Sequence, residues 1–178
     1  MWQSIFKICF AFSLTSVALS YYSPRINTKS VDEFPSDMST APFIKLGQKY
    51  YHFGHKEVNW YKAFLVCRTL GGALASFETE EEWKLLSDHL LTLGDKRYWW
   101  VSAADFETEN EFYWYRTGEP VSYAKWSDNQ PDNFEGNEDC VFMWYENKQY
   151  EMNDFDCYDV ANYVCECKPP SSIVVVAY

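Results

Sequence analysis

Between Asp128 and Asp159 stand ten carboxylates, Asp128, Asp132, Glu135, Glu138, Asp139, Glu146, Glu151, Asp154, Asp156 and Asp159, against one cation, Lys148. So dense a field of one sign destabilises a folded surface unless something positive neutralises it. Outside the cell, calcium with its taste for hard oxygen ligands is the obvious partner. Composition alone favours the plainer reading, a solvated acidic face. The same stretch carries Gln130-Pro131-Asp132-Asn133, which in isolation reads as an ordinary turn, because Pro, Asp and Asn favour turns for local reasons. Two neighbours shift the balance toward ligands: Glu138 lies six positions after Asp132, and Asn153-Asp154 lies between Cys140 and Cys157. Hydrolysis is disfavoured. Paired carboxylates can cleave glycosides, but these sit where a cation would claim them, and neither His-Glu-x-x-His nor Gly-x-Ser-x-Gly occurs.

Such a site needs a frame, and the cysteines suggest one. Residues 1–20 carry a single cation, Lys7, an apolar run from Ile8 to Phe12 and the small-residue end Ala18-Leu19-Ser20, the pattern of a secretory signal peptide. Cleavage before Tyr21 delivers an extracellular protein with Cys67, Cys140, Cys157, Cys165 and Cys167, at most two internal bridges and one cysteine over. A bridge between Cys140 and Cys157 would close a short loop, worth roughly 3 kcal/mol on the chain-entropy model. Cys67 could pair with Cys165 or Cys167, which stand two apart and share a strand face. A membrane span is not expected, since residues 1–20 are interrupted by Ser and Thr and the run Ile173-Val174-Val175-Val176 is too short. The net charge of −11 argues against nucleic acid or anionic lipid as the main partner.

The elements that position the acidic stretch follow from periodicity. Residues 21–41 mix Ser, Thr, Pro and charge without an apolar period and read as an irregular lead-in. Lys49-Tyr50-Tyr51-His52-Phe53 has the aromatic density of a strand. Asn59 is an N-cap for a helix to about Leu70, with Trp60, Phe64 and Cys67 on its inward stripe and Gly71-Gly72 ending it. Thr79 and Glu82 have capping-box spacing ahead of Trp83, Leu85, Leu86 and Leu90, a second helix closed by Gly94. Beyond it, the clusters 98–101, 112–115, 141–145 and 163–165 read as short strands separated by polar loops. Two helices followed by strands give the α+β class. The 35 Phe, Tyr and Trp residues are ample for one core.

Taken together and in order, several of these pieces resemble the C-type lectin-like domain, over residues 42–168, with 169–178 as a tail. They are the Cys67 helix with Gly71-Gly72-Ala73-Leu74-Ala75, Tyr98-Trp99-Trp100-Val101, Trp126, Gln130-Pro131-Asp132, Asn137-Glu138-Asp139-Cys140, Asn153-Asp154, Cys157 and Tyr163-Val164-Cys165-Glu166. The resemblance implies the family's fold, two helices with short antiparallel sheets and a long calcium-binding loop region. It implies bridges Cys67–Cys165 and Cys140–Cys157, leaving Cys167 as a route to a covalent dimer. It also implies a calcium ion held by Gln130, Asp132, Glu138, Asn153 and Asp154 that binds sugar hydroxyls directly. A cis bond before Pro131 would let Gln130 and Asp132 both face that ion.

Within the family, Gln-Pro-Asp resembles the galactose-preferring form, and Phe134 falls where an aromatic ring can meet the apolar face of galactose. A second calcium site would map onto Asp105, Glu109 and Asp139, with Asn133 replacing a carboxylate. Met152 stands where the family usually has tryptophan, and the glycine-rich extension of galactose binders is missing. Resemblance to small secreted invertebrate lectins implies an innate-immune partner, galactose-containing glycans or glycoproteins on microbial surfaces. The competing expectation is a lectin-like adhesion or regulatory module that binds protein. Mass spectrometry of chain exported by eukaryotic cells should give a mature N-terminus at Tyr21; retention of Met1 to Ser20 would refute the signal peptide.

Overall fold

The computed structural model describes residues 25–30, 39–94, 96–168 and 172–177; residues 1–20, and with them the expected signal peptide, lie outside this set. Strand β1 (Arg25–Ser30) pairs antiparallel with the last strand, β11 (Ser172–Ala177). This corrects the reading of 21–41 as wholly irregular and of 169–178 as a plain tail. The β-branched run Ile173-Val174-Val175-Val176, too short to span a bilayer, supplies strand propensity instead.

The domain itself opens with β2 (Ile44–Leu46) and the long β3 (Lys49–Val58). Helix α1 (Trp60–Thr69) starts where Asn59 Oδ1 accepts from the Lys62 N–H at 2.9 Å. Its buried residues are Trp60, Ala63 and Cys67; Phe64 is only half-buried. After β4 (Ala73–Leu74), α2 (Glu80–Leu93) is capped by Thr79, whose hydroxyl accepts from the Glu82 N–H at 3.2 Å. The reciprocal half of the capping box is diverted: the Glu82 carboxylate accepts from the Glu78 N–H (2.9 Å) and from Lys49 Nζ (2.7 Å). Gly94 closes the helix at φ 70°; Trp83, Leu86 and Leu90 are buried and Leu85 is exposed.

The remaining strands are β5 (Trp99–Ala104), β6 (Tyr113–Trp114), β7 (Glu119–Pro120), β8 (Cys140–Glu146), β9 (Gln149–Phe155) and β10 (Ala161–Cys167). Their sheet runs β2-β3-β10-β5-β6-β7, with β4 on β10 and the β8–β9 hairpin on β5. Among its named strands in the described residues, only β10 and β5 pair in parallel. Strand β5 is buried on both faces, and its alternation divides the core. Trp99, Val101 and Ala103 pack with Trp83, Leu86 and Leu90 of α2 and with Tyr150 and Met152. Trp100 and Ala104 pack with Trp60, Ala63 and Cys67 of α1, and with Phe142. Indole N–H groups stitch the layers: Trp60 to Val101 O (2.8 Å), Trp83 to Tyr150 O (2.8 Å) and Trp100 to Val58 O (2.9 Å).

The disulfides are Cys67–Cys165 and Cys140–Cys157, and Cys167 is free. Beside them Glu166, fully buried, accepts from the Ser76 N–H and pairs with Arg116 Nε (2.5 Å) and Lys49 Nζ (3.4 Å). Close packing also fixes Gly54 of β3, where an added Cβ would fall 2.1 Å from the Tyr163 ring. Gly54→Ala should therefore destabilise by about 1–3 kcal/mol, read as a lowered Tm, and Gly54→Ala combined with Tyr163→Val should recover most of it. Equal melting of wild type and Gly54→Ala would refute this packing.

Candidate functional site

The site is built where a loop folds back on β9. Trp126 bridges to Met152, and Ser127 N donates to Met152 O at 2.9 Å while Met152 N donates to Lys125 O at 2.7 Å. Met152, fully buried, thus takes a core place at the base of the loop, filling space with a flexible thioether where a ring was expected. The loop then turns through a cis Gln130–Pro131 peptide bond, as expected. Asn153 and Asp154 are not in a loop. They lie on β9, opposite Phe142 and Val141 of β8, and both are buried.

Strand and loop are joined by one carboxylate. Asp154 Oδ1 accepts from the Asp132 N–H at 3.1 Å, and its Oδ2 accepts from the Asn133 N–H at 2.7 Å. Asn133, at φ 42°, then distributes the fold of the loop. Its Oδ1 accepts from the Glu138 N–H at 3.0 Å, and its Nδ2 donates to Glu109. A short 3-10 turn, Phe134–Gly136, follows, and Glu138 Oε2 accepts from the Phe134 N–H at 2.9 Å. The result gathers one oxygen each from Asp132, Glu138 and Asp154 within 4.8 Å of one another. Phe134 projects from this turn, 64% exposed.

The electrostatics are those of carboxylates short of positive charge. Burial raises the Glu138 carboxyl to about 7, with the charges of Asp154 and Asp132 adding to the rise and the Phe134 N–H opposing it. Burial also raises Asp154, against the two N–H groups it accepts from. Two residues before Asp132 in the chain, Gln130 Oε1 is buried with no hydrogen-bond partner among the described residues. Converging carboxylates and an orphaned amide oxygen fit a hard divalent cation, whose charge would offset both deficits.

Of the five residues expected to act together, three meet by geometry, Gln130 supplies the orphaned oxygen, and Asn153 sits beside Asp154 on β9. The second set is arranged differently. Asp105 is buried, with Oδ2 accepting from the Asn110 N–H at 2.7 Å and Oδ1 unpartnered; burial raises its carboxyl to about 6. Its N–H donates to Asp139 O, while Glu109 is spent on Asn133. Among the described residues, no second trio of carboxylates converges as Asp132, Glu138 and Asp154 do. The role sequence reasoning missed is that of Asn133, whose three-way bonding shapes the loop. The available signal was an asparagine, a residue that tolerates the left-handed region, directly after Pro-Asp.

Known proteins share this fold. The family model "Lectin C-type domain" matches residues 56–167. The chain belongs to the C-type lectin domain family. C-type lectin 37Da of Drosophila melanogaster is 32% identical over 164 residues, covering 88% of this chain and 87% of that protein. Among solved structures, the carbohydrate-recognition domain of the mouse scavenger receptor C-type lectin aligns with a TM-score of 0.67 at 27% identity, over 75% of this chain and all of that one. The cow C-type carbohydrate-recognition domain of CD23, solved in the presence of a GlcNAc2Man3 oligosaccharide, gives 0.65 at 27% identity, over 75% and 98%. The C-type lectin fold and its two disulfides thus stand as the family resemblance implied.

The raised Glu138 carboxyl has a measurable consequence. Between the ordinary carboxylate range and about 7, the folded state keeps a proton that the unfolded chain has lost, so this residue's contribution to stability declines as pH rises through that window. In chelator, Glu138→Gln should match wild type near pH 5 and exceed it at pH 8, by on the order of 1 kcal/mol or a few degrees of Tm. A Tm difference that does not vary with pH would refute the assignment.

Proposed function

We propose that this C-type lectin is a secreted, calcium-dependent carbohydrate-binding protein of the galactose type. The observation that carries the reading is the convergence of Asp132, Glu138 and Asp154, and the buried, unpartnered Gln130 oxygen on the same loop adds to it. These four residues and Asn153 form the ligand set. Calcium, when bound there, supplies open coordination positions for two adjacent sugar hydroxyls. The protein's own groups then do the sorting. Carboxylate oxygens of Asp132 and Glu138 accept from sugar hydroxyls, and the Gln130 and Asn153 amide N–H groups donate to hydroxyl oxygens.

Selectivity rests on which side offers which group. With an amide at Gln130 and a carboxylate at Asp132, the donor and acceptor edges suit one stereochemistry of a vicinal diol; exchanging them suits another. Exposed Phe134 offers an apolar face beside the site. The family is generally one of binding proteins, and the site binds without a bond being broken. Among the described residues no helix is long and apolar enough to cross a membrane. Exported chain would meet galactose-containing glycans on microbial surfaces. One open site binds a single sugar weakly, so a covalent dimer through Cys167 is the proposed source of avidity.

Full-length chain should be retained on galactose-agarose in calcium and released by chelator or by acid near pH 5, where protonated carboxylates are poor ligands. Asp132→Ala should weaken calcium binding by at least about 100-fold with the fold preserved by circular dichroism. Gln130→Glu together with Asp132→Asn should move retention from galactose to mannose. Calcium affinity unchanged in Asp132→Ala would refute the ligand set. A glycan array positive only for mannose or GlcNAc with the wild-type chain would refute the galactose preference while leaving the calcium site standing.

A further inference from the structure

One cleft of the domain is lined by none of the proposed calcium ligands, and its walls have a distinct chemistry. It is a cleft of about 300 Å3 lined by Glu107, Thr108, Glu111, Tyr113, Tyr115 and Gly118, at the lower end of the range for small-ligand pockets. Strand alternation makes one wall: Trp114 of β6 points into the core and is fully buried, so Tyr113 and Tyr115 both face the other way. Tyr115 is backed by Phe106, with ring centroids 4.9 Å apart, and by Trp60 at 5.9 Å. The other wall is a folded turn. Thr108 N donates to Asp105 O (3.2 Å), Glu111 N to Thr108 O (2.9 Å) and Asn110 N to the Asp105 carboxylate (2.7 Å).

We propose that this cleft binds an organic ammonium group, held against the faces of Tyr113 and Tyr115 and between the carboxylates of Glu107 and Glu111. Aromatic faces attract cations through the ring quadrupole, and the attraction grows when the cation is partly desolvated. Two carboxylates and no basic residue line the cleft among the described residues, so its charge complements a monocation. The field is of one sign: after burial, the groups that hold the Tyr115 hydroxyl above its ordinary range are Glu107, Asp105, Asp139 and Tyr61. The chain as a whole carries −11, which adds attraction for a cation at long range. Neither Glu107 nor Glu111 belongs to the proposed calcium ligands. The cleft is therefore a separate site, with a specificity set by charge and aromatic contact.

The test is an NMR titration of the full chain with choline chloride and, separately, with ethanolamine, each in chelator and in calcium. Saturable shifts confined to residues 105–118, the same with and without calcium, are expected for at least one of the two amines, and which one binds tells a quaternary from a primary ammonium site. The neutral isostere 3,3-dimethylbutan-1-ol should bind about tenfold more weakly. Glu107→Gln with Glu111→Gln, and separately Tyr113→Leu, should each weaken amine binding about tenfold while galactose retention stays as in wild type. No saturation with either amine, equal binding of the neutral isostere, or amine binding unmoved in both variants overturns the proposal. Because the titration succeeds or fails in chelator, its outcome is independent of the calcium and galactose reading.

Discussion

Three carboxylate oxygens held within 4.8 Å of one another repel, and the site exists only because the fold holds them there. Two unit charges at about 4 Å interact by roughly 4 kcal/mol at the effective dielectric of a protein surface. Asp154 meets that cost in part through the two backbone N–H groups it accepts from, and Glu138 through one. What remains shows as the raised Glu138 and Asp154 carboxyls. The hydrogen bonds have a structural effect as well, since Asp154 is on a strand and its acceptors bind a loop. A residue proposed to hold the ion is thus also the clasp that shapes the loop around it.

The rest of the domain resists motion at the two ends of that clasp. Strand β9 is fixed by its hairpin with β8, and β8 by β5, whose two faces carry the two halves of the core. The Cys140–Cys157 bridge closes the hairpin at the site end, and the Trp60 N–H donates to Cys157 O at 3.1 Å, tying α1 to the same point. The Cys67–Cys165 bridge and the Glu166 ion pairs sit on β10, on the far side of β5 from β8. Strand β9 brings the buried Asn153 and Asp154, while the loop brings the buried Glu138 and the exposed Asp132.

Asn133 shows how one residue can look like a ligand and act as a strut. The family resemblance mapped it onto a second cation set with Asp105, Glu109 and Asp139. In the fold its amide bonds Glu109 and the Glu138 N–H, linking the turn after β5 to the loop before β8. Asp105 likewise spends one oxygen on folding its own turn. That turn then forms a wall of the aromatic cleft, so the carboxylate trio and the cleft share scaffolding while differing in chemistry.

The helices and their caps were legible in the sequence, because Asn59, Thr79 and Gly94 act on backbone groups within a few residues. The aromatic strands were legible for a similar reason: their residues favour an extended, half-buried chain. The order of the motifs from Cys67 to Cys165 was enough to imply the family and its disulfides. Strand β9 was not legible. Gln149-Tyr150-Glu151-Met152-Asn153-Asp154-Phe155 carries polar and acidic residues of poor strand propensity, and its hairpin turns through Asn147 and Lys148 at positive φ without a glycine. Pairing with β8 overrode local preference. The ribbon of β1 with β11 was hidden too, since its partners stand at opposite ends of the chain. Sequence alone determined which oxygen donors this protein possesses and in what order. Only the tertiary structure decided which of them meet, because convergence depends on contacts between residues far apart in the chain.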